Sequence, residues 1–268
     1  MEKVVLVTGA SSGIGKACAD YLSSKGFKVY GTSRNPAAIK APYPMVQLDV
    51  TRPESVKHAV SEVVAKEGRI DVLINNAGYS MGGAIENFSE EEMHHDMETF
   101  FFGMTRMMKE VLPHMREKNS GTIVNISSIA GLMGIPFQGF YSASKFAIQG
   151  LCESLRIELR PYNVHVVVVN PSDMLSGVSA HRIVAKSALQ PNPYYEQFRL
   201  SLEKINKDES LGSNPEMVAR AIEKIIHSKK PAYQYLVGRF DQKLAVYIKK
   251  LVPARFFSWI LADHYKVK

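Results

Sequence analysis

The chain carries a phenol and an ammonium one helical turn apart. Tyr141-Ser142-Ala143-Ser144-Lys145 opens a helical pattern, and the four-residue spacing puts Tyr141 and Lys145 on one face. A free phenol titrates near ~10, too high for efficient proton transfer at neutral pH. A neighbouring ammonium favours the phenolate, so the pair predicts a Tyr141 whose pKa is lowered by Lys145. Just upstream, Ser127-Ser128 closes an apolar run, and the Ser128 hydroxyl is suited to donate to a carbonyl oxygen as negative charge develops on it. A Tyr-x-x-x-Lys pair also occurs as ordinary packing on many helices, so its chemistry depends on what stands around it.

What stands around it is a strand–helix alternation. Val4–Thr8, Lys28–Thr32, Met45–Val50, Val72–Asn75, Thr122–Ser127, Val164–Asn170 and Tyr233–Val237 read as strands, most of them continuously apolar, as expected when helices cover both sheet faces. Helical patterns lie between them at Gly15–Lys25, Pro53–Lys66, Ser89–Lys118, Tyr141–Arg160 and Pro215–His227. This predicts an α/β fold: a single-domain, Rossmann-type doubly wound parallel sheet of about seven strands with helices on both faces. Residues 1–240 read as one domain, residues 172–214 as a substrate loop or lid, and residues 241–268 as a basic amphipathic tail.

The first strand runs into Thr8-Gly9-Ala10-Ser11-Ser12-Gly13-Ile14-Gly15 and then a helix. Gly9, Gly13 and Gly15 in that place allow a tight turn, close approach to a pyrophosphate and close helix–strand packing. With Ser11, Ser12 and Ile14 they form a candidate dinucleotide site at a helix N-terminus. The second strand ends on Arg34 with no acidic residue for ribose hydroxyls, and Arg34 offers donors suited to a 2′-phosphate. NADP(H) is therefore favoured over NAD(H). Asp49 and Val50 are placed near the adenine, and Asn75-Asn76-Ala77-Gly78 ends the fourth strand at the edge where such sheets bind ligands.

Composition sets bounds. Two cysteines, Cys18 and Cys152, exclude a disulfide scaffold and a four-cysteine zinc site, and both read as small buried thiols. No apolar run reaches membrane-spanning length and no leader pattern opens the chain, so a cytoplasmic location is the expectation. The formal charge is +7. Residues 1–226 are balanced at 24 basic and 24 acidic, while residues 227–268 hold nine basic and two acidic, so the entire excess lies in the last 42. A neutral body with no basic, aromatic-interleaved face argues against nucleic-acid binding.

Taken together, the glycine turn, Asn75–Gly78, Ser128 and Tyr141 with Lys145 resemble the short-chain dehydrogenase/reductase family over residues 3 to 240. The closest likeness is to its 17β-hydroxysteroid-dehydrogenase-like branch, through Asn170-Pro171, the long loop after it and the extended tail. The resemblance implies an NADP(H)-dependent oxidoreductase acting on CH–OH groups. Tyr141 would be the acid/base, Lys145 would bind the nicotinamide ribose and tune Tyr141, and Ser128 would polarise the carbonyl. Asn75, Asn76, Ala77, Gly78 and Pro171 would shape the cofactor cleft, with Ser176 placed for the carboxamide. It also implies a homo-oligomer paired through the helices at Ser89–Lys118 and Tyr141–Arg160.

Two positions depart from the family pattern. Phe100 stands where the family usually has an Asn supporting a water-linked proton relay, and phenylalanine makes no such bond. Ser172 stands where a Gly usually follows the proline and lacks its backbone freedom. Such changes fit a drifted or engineered member and predict slowed turnover.

Apolar residues at Met174, Leu175, Tyr194, Tyr195, Phe198 and Leu200, with Met133, Ile135, Pro136, Phe137 and Phe140, suggest a lipophilic, steroid-like or acyl-like ketone or alcohol, or ordinary packing beneath a loop. The tail alternates basic residues with Leu244, Val246, Ile248, Leu251, Phe256, Phe257 and Trp259. It suits docking on the body or on a second subunit, or peripheral contact with an anionic bilayer. Two functions remain open: a reductase or dehydrogenase of a lipophilic substrate, or a catalytically weak NADP-binding module whose tail meets a membrane or partner.

Overall fold

The computed structural model describes residues 2–177 and 182–267. Seven parallel strands form the main sheet: β1 (Val4–Val7), β2 (Lys28–Ser33), β3 (Met45–Gln47), β4 (Val72–Asn75), β6 (Gly121–Ile126), β7 (Val164–Pro171) and β9 (Gln234–Val237). The spatial order is β3-β2-β1-β4-β6-β7-β9, so the chain reverses its direction of travel across the sheet between β1 and β4. A crevice opens there at the carboxyl ends of the strands.

Alternation of side chains along β1 builds both faces at once. Val5 and Val7 pack with Cys18, Leu22, Val218 and Ile222 under α1 (Gly13–Ser24) and α7 (Glu216–His227). Val4 and Leu6 turn to the opposite core. There they meet residues of α2 (Pro53–Glu67), α4 (Gly103–Glu117) and α5 (Gly139–Glu158). Both cysteines are free and buried in these cores.

The single helix expected over Ser89–Lys118 is a rod of three parts. A Ser89/Glu92 capping box starts α3 (Glu90–Met97), a π-helical turn follows at Glu98–Phe102, and α4 continues to Glu117. A π turn adds one residue per turn and re-aims the side chains around it. The strand expected to reach Val50 stops at Gln47 because Asp49 accepts hydrogen bonds from the Thr51 amide (3.0 Å) and hydroxyl (2.7 Å), closing a tight turn.

The described residues of the segment from 172 to 214 include regular structure. It carries β8 (Ile183–Val184), paired with β5 (Met81–Gly82), and α6 (Tyr195–Ser210). Residues 178–181 of the expected substrate loop lie outside the described residues. The tail forms α8 (Phe240–Leu251) and α9 (Ala254–His264), separated at Pro253, which holds Val252 extended.

The tail lies on the body. Val246, Phe257 and Tyr265 share a core with Ile129, Met133, Ile135 and Ile205. Lys249 Nζ donates to the Leu132 carbonyl (2.5 Å) and Ser201 Oγ to that of Tyr265 (2.5 Å). Ser172 carries no backbone strain, being absent from the residues with positive φ; its Oγ accepts the Arg239 amide at 2.9 Å, tying β7 to the start of α8. Among the described residues no helix is long and apolar enough to cross a membrane.

Candidate active site

The crevice is a cleft of about 690 Å³. Gly9, Ser11, Ser12, Gly13 and Ile14 form one end of it. Gly15 lies beneath, and a Cβ there would stand 2.2 Å from the Gly9 carbonyl oxygen, so only glycine lets helix and turn close together. Thr8 Oγ1 accepts the amides of Asn76 (2.8 Å) and Ala77 (3.0 Å), and Asn76 Nδ2 donates to the Thr8 carbonyl (3.0 Å). This clasp fixes the turn to the end of β4. The first turn of α1 has no acidic side chain and no side-chain cap, leaving its amides and positive dipole end to the cleft.

Arg34, Asp49, Val50 and Gly78 also line the cleft, as do Tyr141, Lys145 and Ser176. Pro171 ends β7, buried against β9, and does not reach the cleft wall. The glycine cradle, the open helix end and the size of the crevice fit a dinucleotide.

At the chemical end, Lys145 is 4% exposed. Its Nζ donates to the Ile126 carbonyl at 3.0 Å and lies 4.7 Å from the centre of the Phe100 ring, against 5.6 Å for Tyr141. Burial pushes its pKa down to about 8, with Asp96 opposing. The expected lowering of Tyr141 does not occur. Burial pushes the phenol up to about 12, the Ser128 hydrogen bond pulls back, and the carboxylates of Asp96 and Glu209 push further upward. Desolvation wins because the ammonium faces Ile126 and Phe100 rather than the phenol oxygen.

Phe100 occupies the space behind this pair. It is 1% exposed, edge-on to Tyr141 at 5.4 Å and tilted against Tyr79 at 5.0 Å. A Cβ on Gly78 would fall 2.2 Å from its ring, so Gly78 makes room for Phe100. Ser128 caps a short turn, accepting the Ala130 amide at 3.1 Å, and opens into a second cavity of about 30 Å³ beside the cleft.

Sequence reasoning missed several groups. Asp96 is fully buried, and neither carboxylate oxygen has a hydrogen-bond partner among the described residues. Burial pushes it up to about 6, with Ser144 and Lys145 pulling back. The signal was its position four residues before Phe100, one turn away on the same rod. Arg182, Asp208 and Glu209 were also missed; they meet only in the fold. Of the anticipated apolar wall, Ile135 reaches the small cavity, whereas Met133, Met174 and Phe198 are packed in cores. Leu175, Tyr194 and Leu200 face solvent.

Comparison with known proteins agrees with this architecture. The family model of the short chain dehydrogenases matches residues 3–185. A 3-ketodihydrosphingosine reductase from Bacteroides thetaiotaomicron is 43% identical over 266 residues, covering 99% of each chain. A short-chain dehydrogenase from Streptomyces avermitilis superposes with a TM-score of 0.82 at 30% identity, covering 98% of this chain and 97% of that one. A short-chain dehydrogenase/reductase from Burkholderia phymatum in complex with NAD does so with a TM-score of 0.75 at 25% identity, over 87% and 88% of the two chains. The chain belongs to the short-chain dehydrogenase/reductase family. It is an oxidoreductase acting on ketone and alcohol groups.

Proposed function

We propose that the chain is an NADP(H)-dependent reductase of a lipophilic ketone, working through Ser128, Tyr141 and Lys145. The observation that carries this reading is that Tyr141 and Lys145 line the cleft beside the glycine cradle, with Ser128, which faces the smaller cavity, acting on the Tyr141 phenol from the other side. The Burkholderia relative bound to NAD supports a nicotinamide cofactor. Preference for the phosphorylated form rests on Arg34: it is exposed at the cleft, and among the described residues its guanidinium has no hydrogen bond or ion pair. The name of the Bacteroides relative supports a long-chain keto lipid as substrate.

When bound, the nicotinamide supplies a hydride to the carbonyl carbon. Ser128 donates to the carbonyl oxygen as charge develops, and Tyr141 gives that oxygen its proton, leaving an alcohol. A phenol pushed up to about 12 is protonated at neutral pH, the form that reduction requires, and as a weaker acid than a free phenol it gives its proton only as negative charge develops on the carbonyl oxygen. Lys145 would hold the ribose hydroxyls of the bound cofactor and would return a proton toward Tyr141. Phe100 offers no bond to a relay water, so this return is slow, and the same observation favours, as second reading, a binding module with weak turnover.

The tail supports peripheral membrane contact as well as docking. Its buried face is the one described above, while Phe240, Leu251, Phe256 and Trp259 are 75%, 84%, 50% and 64% exposed, beside Lys243, Lys250 and Arg255. Exposed Phe102, in the π turn that leads into α4, and Ile157 on α5 suit pairing of two copies through these helices. We assign residues 1–240 to catalysis and 241–268 to this surface role.

The test is NADPH and NADH oxidation against a panel of long-chain ketones, with Tyr141→Phe as control. NADPH-dependent turnover abolished in the control is expected. Absence of turnover with every ketone, or an unaffected Tyr141→Phe protein, would overturn the reading. For the tail, Leu251→Ser with Trp259→Ser should release the protein from anionic vesicles in co-sedimentation; unchanged binding removes the membrane role.

A further inference from the structure

Lys145 needs a new proton after every reduction, and the groups its ammonium faces cannot give one. The Ile126 carbonyl at 3.0 Å and the Phe100 ring at 4.7 Å carry no exchangeable hydrogen. Asp96 stands one helical turn before Phe100 on α3, which packs across α5 and its Lys145. Its carboxylate and the Lys145 ammonium each feel the other's charge. Asp96 is fully buried, and neither of its oxygens has a hydrogen-bond partner among the described residues. Such a group costs the fold and is bonded to nothing, so it is free to take up and release a proton.

The way from Asp96 to the cleft is polar. Thr99, three residues on and so on the same side of the rod, lines the cleft. Tyr79 lines it too, and its hydroxyl is another buried polar atom without a partner among the described residues. Burial, and then the Asp96 carboxylate, push the Tyr79 phenol up, which places that hydroxyl within reach of the Asp96 charge. His95, next to Asp96 in the chain, is exposed at the cleft and stacks on the Tyr79 ring at 5.6 Å. The titratable groups that feel Asp96 are thus Tyr79 from the loop after β4 and Tyr141 and Lys145 from α5.

We infer that Asp96 recharges Lys145, taking a proton from water in the cleft and passing it to the Lys145 amine after each reduction. The inference rests on the reductase reading above. Asp96 touches neither substrate nor cofactor and acts through Lys145, so it is a positioning residue for the proton.

The proton count closes. Once the ketone oxygen has taken the Tyr141 proton, a phenolate remains, and the Lys145 ammonium gives that oxygen a proton and becomes a neutral amine. Burial holds the Asp96 carboxyl up at about 6 against the pulls of Ser144 and Lys145, and the second pull vanishes with the ammonium charge. Asp96 then binds a proton from a cleft water, leaving hydroxide to the solvent. The carboxyl O–H bond breaks toward the amine nitrogen, restoring ammonium and carboxylate. One solvent proton enters for each ketone reduced, and no other reactant is consumed.

The experiment separates the first turnover, which spends the proton already on Tyr141, from the turnovers that need it replaced. NADPH oxidation by a long-chain ketone is followed on the full chain, once with enzyme in excess over NADPH and once at steady state. The pH is about 6.5, well below the value of about 8 at which Lys145 loses its proton. Asp96→Asn should keep the single-turnover rate within about twofold and lower kcat by about tenfold or more, with a solvent deuterium effect of about twofold on the slowed kcat. Asp96→Ser repeats the comparison with a smaller side chain, so that a packing defect in one variant does not decide it. A split between the two rates in either variant, with the isotope effect, upholds the inference. No split in either, whether kcat is unchanged or both rates fall in step, would overturn it and leave the reductase intact. A split without an isotope effect places the loss in product release and overturns it equally. A native protein that oxidises no NADPH even in a single turnover would overturn the reductase reading, and the recharging of Lys145 falls with it.

Discussion

Replacing Lys145 with methionine should make the protein more stable at neutral pH while abolishing turnover. Lys145 is 4% exposed, and its pKa falls from 10.5 to about 8 on folding, chiefly through burial. The unfolded chain keeps that proton up to its ordinary pKa, whereas the folded chain begins to release it near pH 8. Stability attributable to this group therefore rises as pH climbs through that window, and below it the native state carries the full cost of the buried charge. A shift of this size is worth about 3 kcal/mol at ~1.4 kcal/mol per unit. Methionine is of similar length, uncharged and adaptable in shape. It forfeits the bond to the Ile126 carbonyl, about 1 kcal/mol. The net expectation is a gain of about 2 kcal/mol at neutral pH that disappears by about pH 10.5. Urea unfolding of both proteins at the two pH values reads the difference, and other titrating groups largely cancel in it. A methionine variant less stable at neutral pH, or an advantage that ignores pH, would refute the reasoning.

Asp96→Asn is expected to act with the opposite pH sense. Its carboxyl is raised from 3.8 to about 6 by burial, so its ionised form costs the native state about 3 kcal/mol above that range and nothing near pH 3.8. The variant should melt higher than the native protein at neutral pH, with the gain vanishing in acid. Losing the Asp96 charge should also move the alkaline fall of reductase activity below about pH 8, since that charge supports protonated Lys145. Phe100→Asn should raise kcat, read by steady-state kinetics, at a cost of about 3–5 kcal/mol in urea unfolding for the cavity left behind; unchanged kcat would sink the relay argument. Arg34→Ala should raise the KM for NADPH about tenfold and leave that for NADH nearly unchanged, as expected for loss of a charge-assisted bond to a phosphate.

The sheet was legible in the sequence because its strands are short apolar runs broken by turn residues, and both are local properties. Val4–Val7 and Val72–Asn75 needed no knowledge of their neighbours. The glycine turn was legible for the same reason, being a strand, a turn and a helix start in consecutive residues. The π turn at Glu98–Phe102 was not, since nothing in that stretch separates it from an α-helix until Phe100 meets Gly78 and Lys145. The acidic cavity was also invisible. Arg182 and Glu209 are 27 residues apart, and Asp173 and Gln242 are 69 apart. Tyr141 shows the limit of pattern reasoning most clearly: spacing gave the right neighbours, but the sign of the pKa change was set by burial that only packing reveals.

That sign bears on the direction of the chemistry. In the mechanism proposed above, Tyr141 must hold a proton and give it up in reduction, and in alcohol oxidation it must first lose one. At a pKa of about 12 the phenolate is a fraction on the order of one in a hundred thousand at neutral pH. Reduction therefore starts from the abundant form of Tyr141 and oxidation from a rare one. Phe100 contributes to this bias, because its ring excludes water from beside the phenol and the ammonium, and dry surroundings disfavour both charged forms together. A polar residue at position 100 would hydrate the pair, lower Tyr141 and raise Lys145, and so relax the preference. Alcohol oxidation by Phe100→Asn should then gain more than ketone reduction does, whereas equal gains in both directions would place the effect of Phe100 in the relay alone.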